Sequence, residues 1–423
     1  MTVAESHRQR GGLLRDHDFR HLWAADAISQ VGTRVSALAV PLFALLTLAA
    51  SDFEVAALRT AQTVAYLLIG LQAGAWCDRM RNRPVLIVAD LARAVALGSV
   101  PVAAAFGALT IWQLYGVVLV SGLFTVFFDV AHQSYLPRLV GRADLVEGNA
   151  KLRANMSVAS LAAPSISGWL VQLFSAPVAI AVDACSYLWS AAWLSRIRKR
   201  EESPPPRENR NLWREIREGW GVVLGHPVMR AISVNNALSS LCQSAQLSII
   251  VVFLVREVRL SAGAIGLLNS LALTGALFGS FLVRRLATRF GAARLLWTTS
   301  LIVGVAYLSY PLTTRGWGLA WYVAANFAAS ACVVITIVVQ VSFQQALCPA
   351  DMLGRVNATM NFLYWGVAPL GSLGAGLLAD LISARGTLWV AAVGMVLAGL
   401  ALVLSPLRTM RDLPDGANSE VGH

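Results

Sequence analysis

Several acids stand inside stretches that are otherwise apolar, among them Asp26, Asp129 and Asp183. A carboxylate is costly in such a setting, so it reads as functional, able to exchange a proton or meet a charged ligand. Asp26, Gln30 and Arg34 recur at steps of four and share one helix face. That face could border a chamber, with Asp26 protonatable and Arg34 reaching a substrate or an acid on a neighbouring helix. It could equally be a structural network with Asp26 partly hydrated near a helix end. Asp129, His132 and Gln133 make a second polar face, in which His132 is a proton relay or a packed imidazole. Asp183 has no partner in the sequence and reads as a hydrogen-bonding group between helices or as a coupling acid. Gln340 and Gln344 lie one turn apart and could offer uncharged hydrogen bonds to a ligand or hold helices together. Arg59 reads as a side chain that snorkels to a membrane surface.

The chemistry these groups suggest is binding and proton transfer, not catalysis. GxxxxGK(S/T), HExxH and GxSxG are all absent, and the five cysteines form no CxxC pair. No enzyme activity, cofactor, metal site or disulfide framework is therefore expected.

Membrane helices must position these residues. The chain has 423 residues, 57% hydrophobic and only 13% charged, with a mean hydropathy of +0.61. Soluble domains carry about 25% charged residues, so a water-soluble fold of this size would lack a polar coat. Crossing a bilayer takes about 20 apolar residues. Twelve such stretches occur, near 22–47, 56–77, 84–106, 112–135, 155–174, 177–195, 232–254, 262–283, 293–312, 317–341, 357–381 and 386–406. The expected fold is an all-α protein of twelve transmembrane helices in the cell membrane.

The net charge of +11 would suggest nucleic acid in a soluble protein, but here the basic residues sit in short loops between apolar runs, and no nucleic acid is expected. With the N-terminus inside, 27 Lys and Arg fall on the inner side, four fall in outer loops and three lie within spans. Basic loops stay in the cytoplasm, so both termini are expected there. The segment 1–21 is expected to be cytoplasmic, with no signal peptide expected, and residues 22–195 to form a first six-helix bundle. Residues 196–231 are a linker: a charge run, then Ser203-Pro204-Pro205-Pro206, then an amphipathic surface helix from Leu212 to Trp220. Residues 232–406 form the second bundle and 407–423 a cytoplasmic tail. The halves echo each other: Asn149-Ala150 matches Asn357-Ala358, and Gly70-xxx-Gly74 matches Gly275-xxx-Gly279. Paired six-helix repeats place a cavity between them at mid-membrane, opened alternately to each side.

Between the second and third stretches the chain reads Gly74-Ala75-Trp76-Cys77-Asp78-Arg79-Met80-Arg81-Asn82-Arg83. This resembles the GxxxDRxGR(K/R) loop of the major facilitator superfamily, with Arg81 and Asn82 departing from the pattern. Leu14-Arg15-Asp16-His17-Asp18-Phe19-Arg20, Asp90-Leu91-Ala92-Arg93-Ala94, Phe127-Phe128-Asp129-Val130-Ala131, Asp183-Ala184-Cys185-Ser186-Tyr187 and Leu353-Gly354-Arg355-Val356-Asn357-Ala358 are similar to its drug:proton antiporter-like exporters, the branch of macrolide efflux and enterobactin export. Ala163-Pro164-Ser165-Ile166-Ser167-Gly168 resembles the antiporter GPxxGG motif, with Ala163 and Ser167 in place of two glycines. The branch's RxxxG arginine is missing, since no Arg lies between 112 and 135.

The resemblance implies a proton-coupled exporter of a small amphipathic compound, an antibiotic or a siderophore, working by alternating access. A dedicated siderophore or metabolite exporter, an importer and a non-transporting sensor are the alternatives. The expected partners are the lipid bilayer, the substrate and protons, and the expected state is a monomer. The resemblance also places Asp129 beside the Asp78 loop. One expectation is a cytoplasmic latch in the outward-open state, Asp78 and Asp129 bridged by Arg79, Arg81 or Arg83 with Gly74 allowing close packing. The other has Asp129 carrying the proton itself.

Overall fold

The structure is a computed structural model and describes residues 12–77, 79–141, 144–199, 201, 220–221, 223–348 and 353–410. Asp78, the tail from 411 and all of the expected surface helix except Trp220 lie outside the described residues. Twelve long helices fill the rest. In the first half they are α1 (His17–Leu46), α2 (Asp52–Cys77), α3 (Asn82–Ala105), α4 (Ile111–Val140), α5 (Leu145–Leu173) and α6 (Ala176–Ser195). The second half holds α7 (Pro227–Arg256), α8 (Ala262–Phe290), α9 (Ala292–Tyr307), α10 (Trp317–Leu347), α11 (Leu353–Ile382) and α12 (Ala384–Val403). Ten are long and apolar enough to cross a bilayer, and α9 is a shorter apolar helix.

Several helices run past the apolar stretches because capping residues outside them set the ends. Asp16 accepts the backbone N–H of Phe19 at 2.7 Å, so α1 begins at His17, ahead of the stretch from residue 22. Thr110 caps α4 and Ser261 caps α8 in the same way. At its other end α4 continues to Val140, past the stretch ending near 135.

Each half repeats one pattern of neighbours. In the first, α1 packs on α5 and α6, α3 on α4 and α6, and α2 on α4. The second pairs α7 with α11 and α12, α9 with α10 and α12, and α8 with α10. Across the seam, α2 lies against α11 and α5 against α8, two crossings that the repeat interchanges. The glycine repeat does not follow this symmetry. A Cβ on Gly275 would lie 2.0 Å from the Phe327 carbonyl oxygen and one on Gly279 2.4 Å from that of Ala331, whereas Gly70 has nothing within 4 Å. In the first half the small residue sits on the other helix: Gly122 of α4 faces the Gln62 carbonyl of α2.

The end at which α1 begins is called here the basic end, for the arginine clusters in its loops, and the opposite end the far end. The seam is tied from mid-depth to the far end. Arg256 donates to Asp52 and to the Ala50 carbonyl, and the Thr60 and Ser372 hydroxyls are 2.8 Å apart. Tyr66 stacks on Trp365 with ring centroids 5.0 Å apart, and Gln172 accepts the backbone N–H of Gly263 at 2.9 Å.

Candidate functional site

The first six helices enclose a buried polar cluster built around Arg93 of α3. Its Nη2 donates to Asp90 Oδ1 at 2.5 Å and its Nη1 to Thr125 Oγ1 of α4 at 3.5 Å. The guanidinium is clamped between the Phe128 ring of α4, 4.4 Å from its centroid, and the Tyr187 ring of α6, at 4.2 Å. Desolvated cation–π contacts of this kind contribute about 2 kcal/mol each. Asp129 lies within electrostatic range of Arg93, and its Oδ2 accepts the Tyr66 hydroxyl of α2 at 2.7 Å.

Asp26 of α1 forms the second part. Gln30 donates to its Oδ1 at 3.3 Å and Asn155 of α5 to its Oδ2 at 2.9 Å. Asn155 also donates to the Trp23 carbonyl at 3.1 Å, which fixes α5 against α1. His132 lies one turn beyond Asp129 on α4, with its Nε2 3.9 Å from Asp26 Oδ1. It makes no hydrogen bond there and stacks on Phe128 at 5.7 Å. One imidazole thus stands between two carboxylates. Arg34 is exposed and continues the Asp26–Gln30 ridge toward the far end.

Asp183 of α6 is buried and accepts the Ser186 hydroxyl at 3.1 Å. Next to it the Tyr187 and Thr33 hydroxyls are 2.9 Å apart, joining α6 to α1. The two helices meet this closely because residue 32 is glycine: a Cβ there would lie 2.1 Å from Ser186 Oγ and 2.4 Å from Asp183 Oδ1.

The antiporter-like motif of α5 lies at the seam. Ala163 is fully buried, and Ser167 donates to the Val35 carbonyl of α1 at 2.8 Å. A Cβ on Gly168 would be 2.4 Å from the Ala262 oxygen of α8, and one on Gly266 2.2 Å from the Pro164 oxygen. The Ser165 and Ser270 hydroxyls meet across the same crossing at 2.8 Å. Gln340 and Gln344 belong to α10, remote from this cluster in the second half; Gln340 is half-buried and Gln344 buried.

At the basic end, the last turn of α2 lies against α4. Trp76 stacks on Phe127 at 5.8 Å, which brings the chain toward Asp129 just before Asp78. Gly74 lies in that helix, and Arg79 and Arg81 follow, exposed. Arg83 is turned elsewhere. It donates to the Leu194 carbonyl at 3.0 Å and the Ser195 carbonyl at 2.5 Å, capping the end of α6, while Glu201 accepts its backbone N–H at 3.1 Å.

Sequence reasoning did not select Arg93, Asp90, Tyr66, Asn155 or Tyr187 as site residues. An Asp and an Arg three apart in an apolar run were a usable signal for the first two. Tyr187 ends the exporter-like run from Asp183, and no local pattern marks Tyr66 or Asn155, because their partners lie on other helices. Arg93 also supplies, from α3, a cation packed on α4, which has no arginine of its own between residues 112 and 135.

Among the described residues, cavities are formed elsewhere. A groove of about 780 Å³ between α3 and α4 is lined by Val88, Leu91, Val95, Gln113 and Val120, on the side of α3 away from Arg93. A second, of about 500 Å³, lies at the basic end among Arg81, Arg83 and Glu201. Among the described residues no group of His, Cys, Asp and Glu is arranged to hold a metal ion.

A family model described as a transmembrane secretion effector matches residues 12–420. The chain is 23% identical over 380 residues to the multidrug efflux pump Tap of Mycolicibacterium fortuitum, covering 86% of this chain and 90% of that one. It is 25% identical over 417 residues to the enterobactin exporter EntS of Salmonella choleraesuis, covering 95% and 96%. Among solved structures it is similar to the nucleoside transporter NupG, with a TM-score of 0.77 at 10% identity, covering 91% of this chain and 98% of that one.

Proposed function

We propose that this chain, which belongs to the transmembrane secretion effector family of the major facilitator superfamily, exports a small amphipathic compound in exchange for protons. It is a multi-pass inner-membrane protein, not an enzyme, and a secondary transporter that moves small molecules across the membrane. The proposal adds direction, coupling and architecture: twelve crossings in two six-helix bundles, the basic end and both termini in the cytoplasm, and a chamber at the seam. The 27-to-4 distribution of basic residues supports this orientation.

One observation carries the coupling. Asp26, Asp90, Asp129 and Asp183 lie in a single half around one buried, paired cation, Arg93, with the imidazole of His132 beside them and with Arg34 and Arg59 farther toward the far end. Carboxylates outnumber cations there, so the cluster can reach neutrality by taking up protons. Tyr66, which stacks on Trp365 of α11, links Asp129 to the seam, and Gln30 links Asp26 to the exposed ridge that carries Arg34. In the proposed cycle the far end is held shut by the Asp52–Arg256 pair while the cytoplasmic side admits substrate. When the far end opens, Asp129 leaves Tyr66 for the arginines after Asp78 and latches the basic end. An arginine between two carboxylates holds one arrangement, and a proton on either acid loosens it.

The test has two stages. The resistance and metabolite profile of a deletion strain identifies the exported compound, and everted vesicles then measure its uptake against an imposed pH gradient. Asp26→Asn and Asp129→Asn are each expected to lower gradient-driven uptake at least tenfold while binding of the compound is retained. Uptake that ignores the gradient, or is undiminished in both variants, rejects proton coupling. Asp129→Asn should also change cysteine labelling at the basic mouth, and unchanged labelling rejects the latch.

A further inference from the structure

Arg34 and Arg59 of the first half lie within helices and have no ion-pair partner among the described residues. Arg34 of α1 lies 12 residues from the far end of its helix, and Arg59 of α2 lies seven from its own. At about 1.5 Å per residue, Arg34 is about 18 Å and Arg59 about 10 Å from those ends. Neither has a carboxylate partner among the described residues, unlike Arg93, Arg256 and Arg385.

Helix geometry places Arg59 on the interior. At 100° per residue, Ala56, Thr60 and Leu67 define the face of α2 turned to α11, where Gly376, Ser372 and Gly366 meet them. Ala65 faces Gly122 of α4, and Leu68, 56% exposed, marks the outer side. Arg59 lies between the α4 and α11 faces, aligned with Thr63 and with Tyr66, whose hydroxyl reaches Asp129. Its Nε is buried without a hydrogen bond, so it does not snorkel to a surface. Tyr364 of α11 is within electrostatic range and donates to Gln243 of α7 at 2.6 Å. Arg34 projects from the exposed ridge of α1, a helix that touches the second half lightly, at α7. The opposite wall supplies no counter-charge at mid-depth, its acid Asp380 of α11 lying beside Asp52 near the far end. No charged residue occurs in α10, and in α7, α8, α9, α11 and α12 every one falls within two turns of a helix end.

We infer that the seam holds a binding site for an organic anion with an aromatic body, its carboxylate or catecholate met by Arg34 and Arg59 and its ring by Trp365, Tyr364 and Gln243. The inference rests on the transport reading and narrows its substrate class. Guanidinium groups bind such oxygens by charge-assisted, bidentate hydrogen bonds. A cationic amphiphile would meet two like charges there, and the four acids that could offset them are buried in the first half, with Asp26, Asp90 and Asp129 already engaged.

The test uses three probes of one shape: 2-naphthoate, 2-naphthylmethanol and 2-naphthylmethylammonium. Their affinities are measured on the full chain in nanodiscs, with empty nanodiscs subtracted. The expected result is naphthoate at least tenfold tighter than the ammonium. Arg34→Gln and Arg59→Gln should each weaken naphthoate about tenfold and leave the alcohol within twofold, and Arg34→Lys and Arg59→Lys should recover part of the loss. The alcohol reports on folding, and the wild-type charge preference stands alone if a variant does not fold. An ammonium bound as tightly as naphthoate, naphthoate affinity undiminished in both Gln variants, or no binding of any probe overturns the inference. The transport reading is tested separately by the vesicle assay, so either can fail without the other.

Discussion

Arg93→Met is expected to destabilise the protein by about 3–5 kcal/mol, more than any other single change in the cluster. The wild-type guanidinium is held by Asp90, Thr125 and two aromatic rings, with Asp129 in range. Methionine fills a similar volume between the Phe128 and Tyr187 rings but leaves Asp90 with no cation, deep among helices. Breaking a buried pair from one side costs far more than removing both partners, because the remaining charge has no solvent. Asp90→Asn/Arg93→Met should therefore be more stable than Arg93→Met alone, though below wild type because Asp129 also loses a cation. Thermal unfolding in detergent and the yield of monodisperse protein measure both. A double variant no better than the single one would show that Arg93 acts through packing, not charge.

Gly168→Val and Gly266→Val are expected to disable the seam while leaving each half folded. A Cβ at either position would sit 2.2–2.4 Å from a carbonyl oxygen of the facing helix. Those atoms are backbone and cannot rotate away, so α5 and α8 must separate by about 1 Å to reach ordinary contact. Overpacking of this kind costs about 1–3 kcal/mol, and 1.4 kcal/mol is a tenfold shift in an equilibrium. The penalty falls on the state with the far end closed, so the far end should open. Spin labels at Leu173→Cys and Leu267→Cys, both exposed, report this in a background without native cysteines. Their distance distribution should lengthen in the valine variants. Gly374→Ala is the control, since nothing lies within 4 Å of that position. Distances unchanged in both variants would show that the crossing is not part of the moving seam.

The sequence alone determined the helical class and the approximate helix positions. These follow from apolar length and basic loops, which are local properties that no partner can alter. It also marked Asp26, Asp129 and Asp183, because a charge in an apolar run stands out wherever the helix goes. Tertiary structure alone decided what those acids meet. Tyr66 reaches Asp129 across 63 positions and Asn155 reaches Asp26 across 129, distances at which no periodicity carries information. The same limit explains the glycines. Gly70 and Gly275 occupy matching places in their repeats, yet only Gly275 faces a neighbouring backbone, since close approach depends on how two helices cross. Arg59 looked like a residue bound for the membrane surface because it lies near a helix end, and only the packing of α2 between α4 and α11 turned it inward.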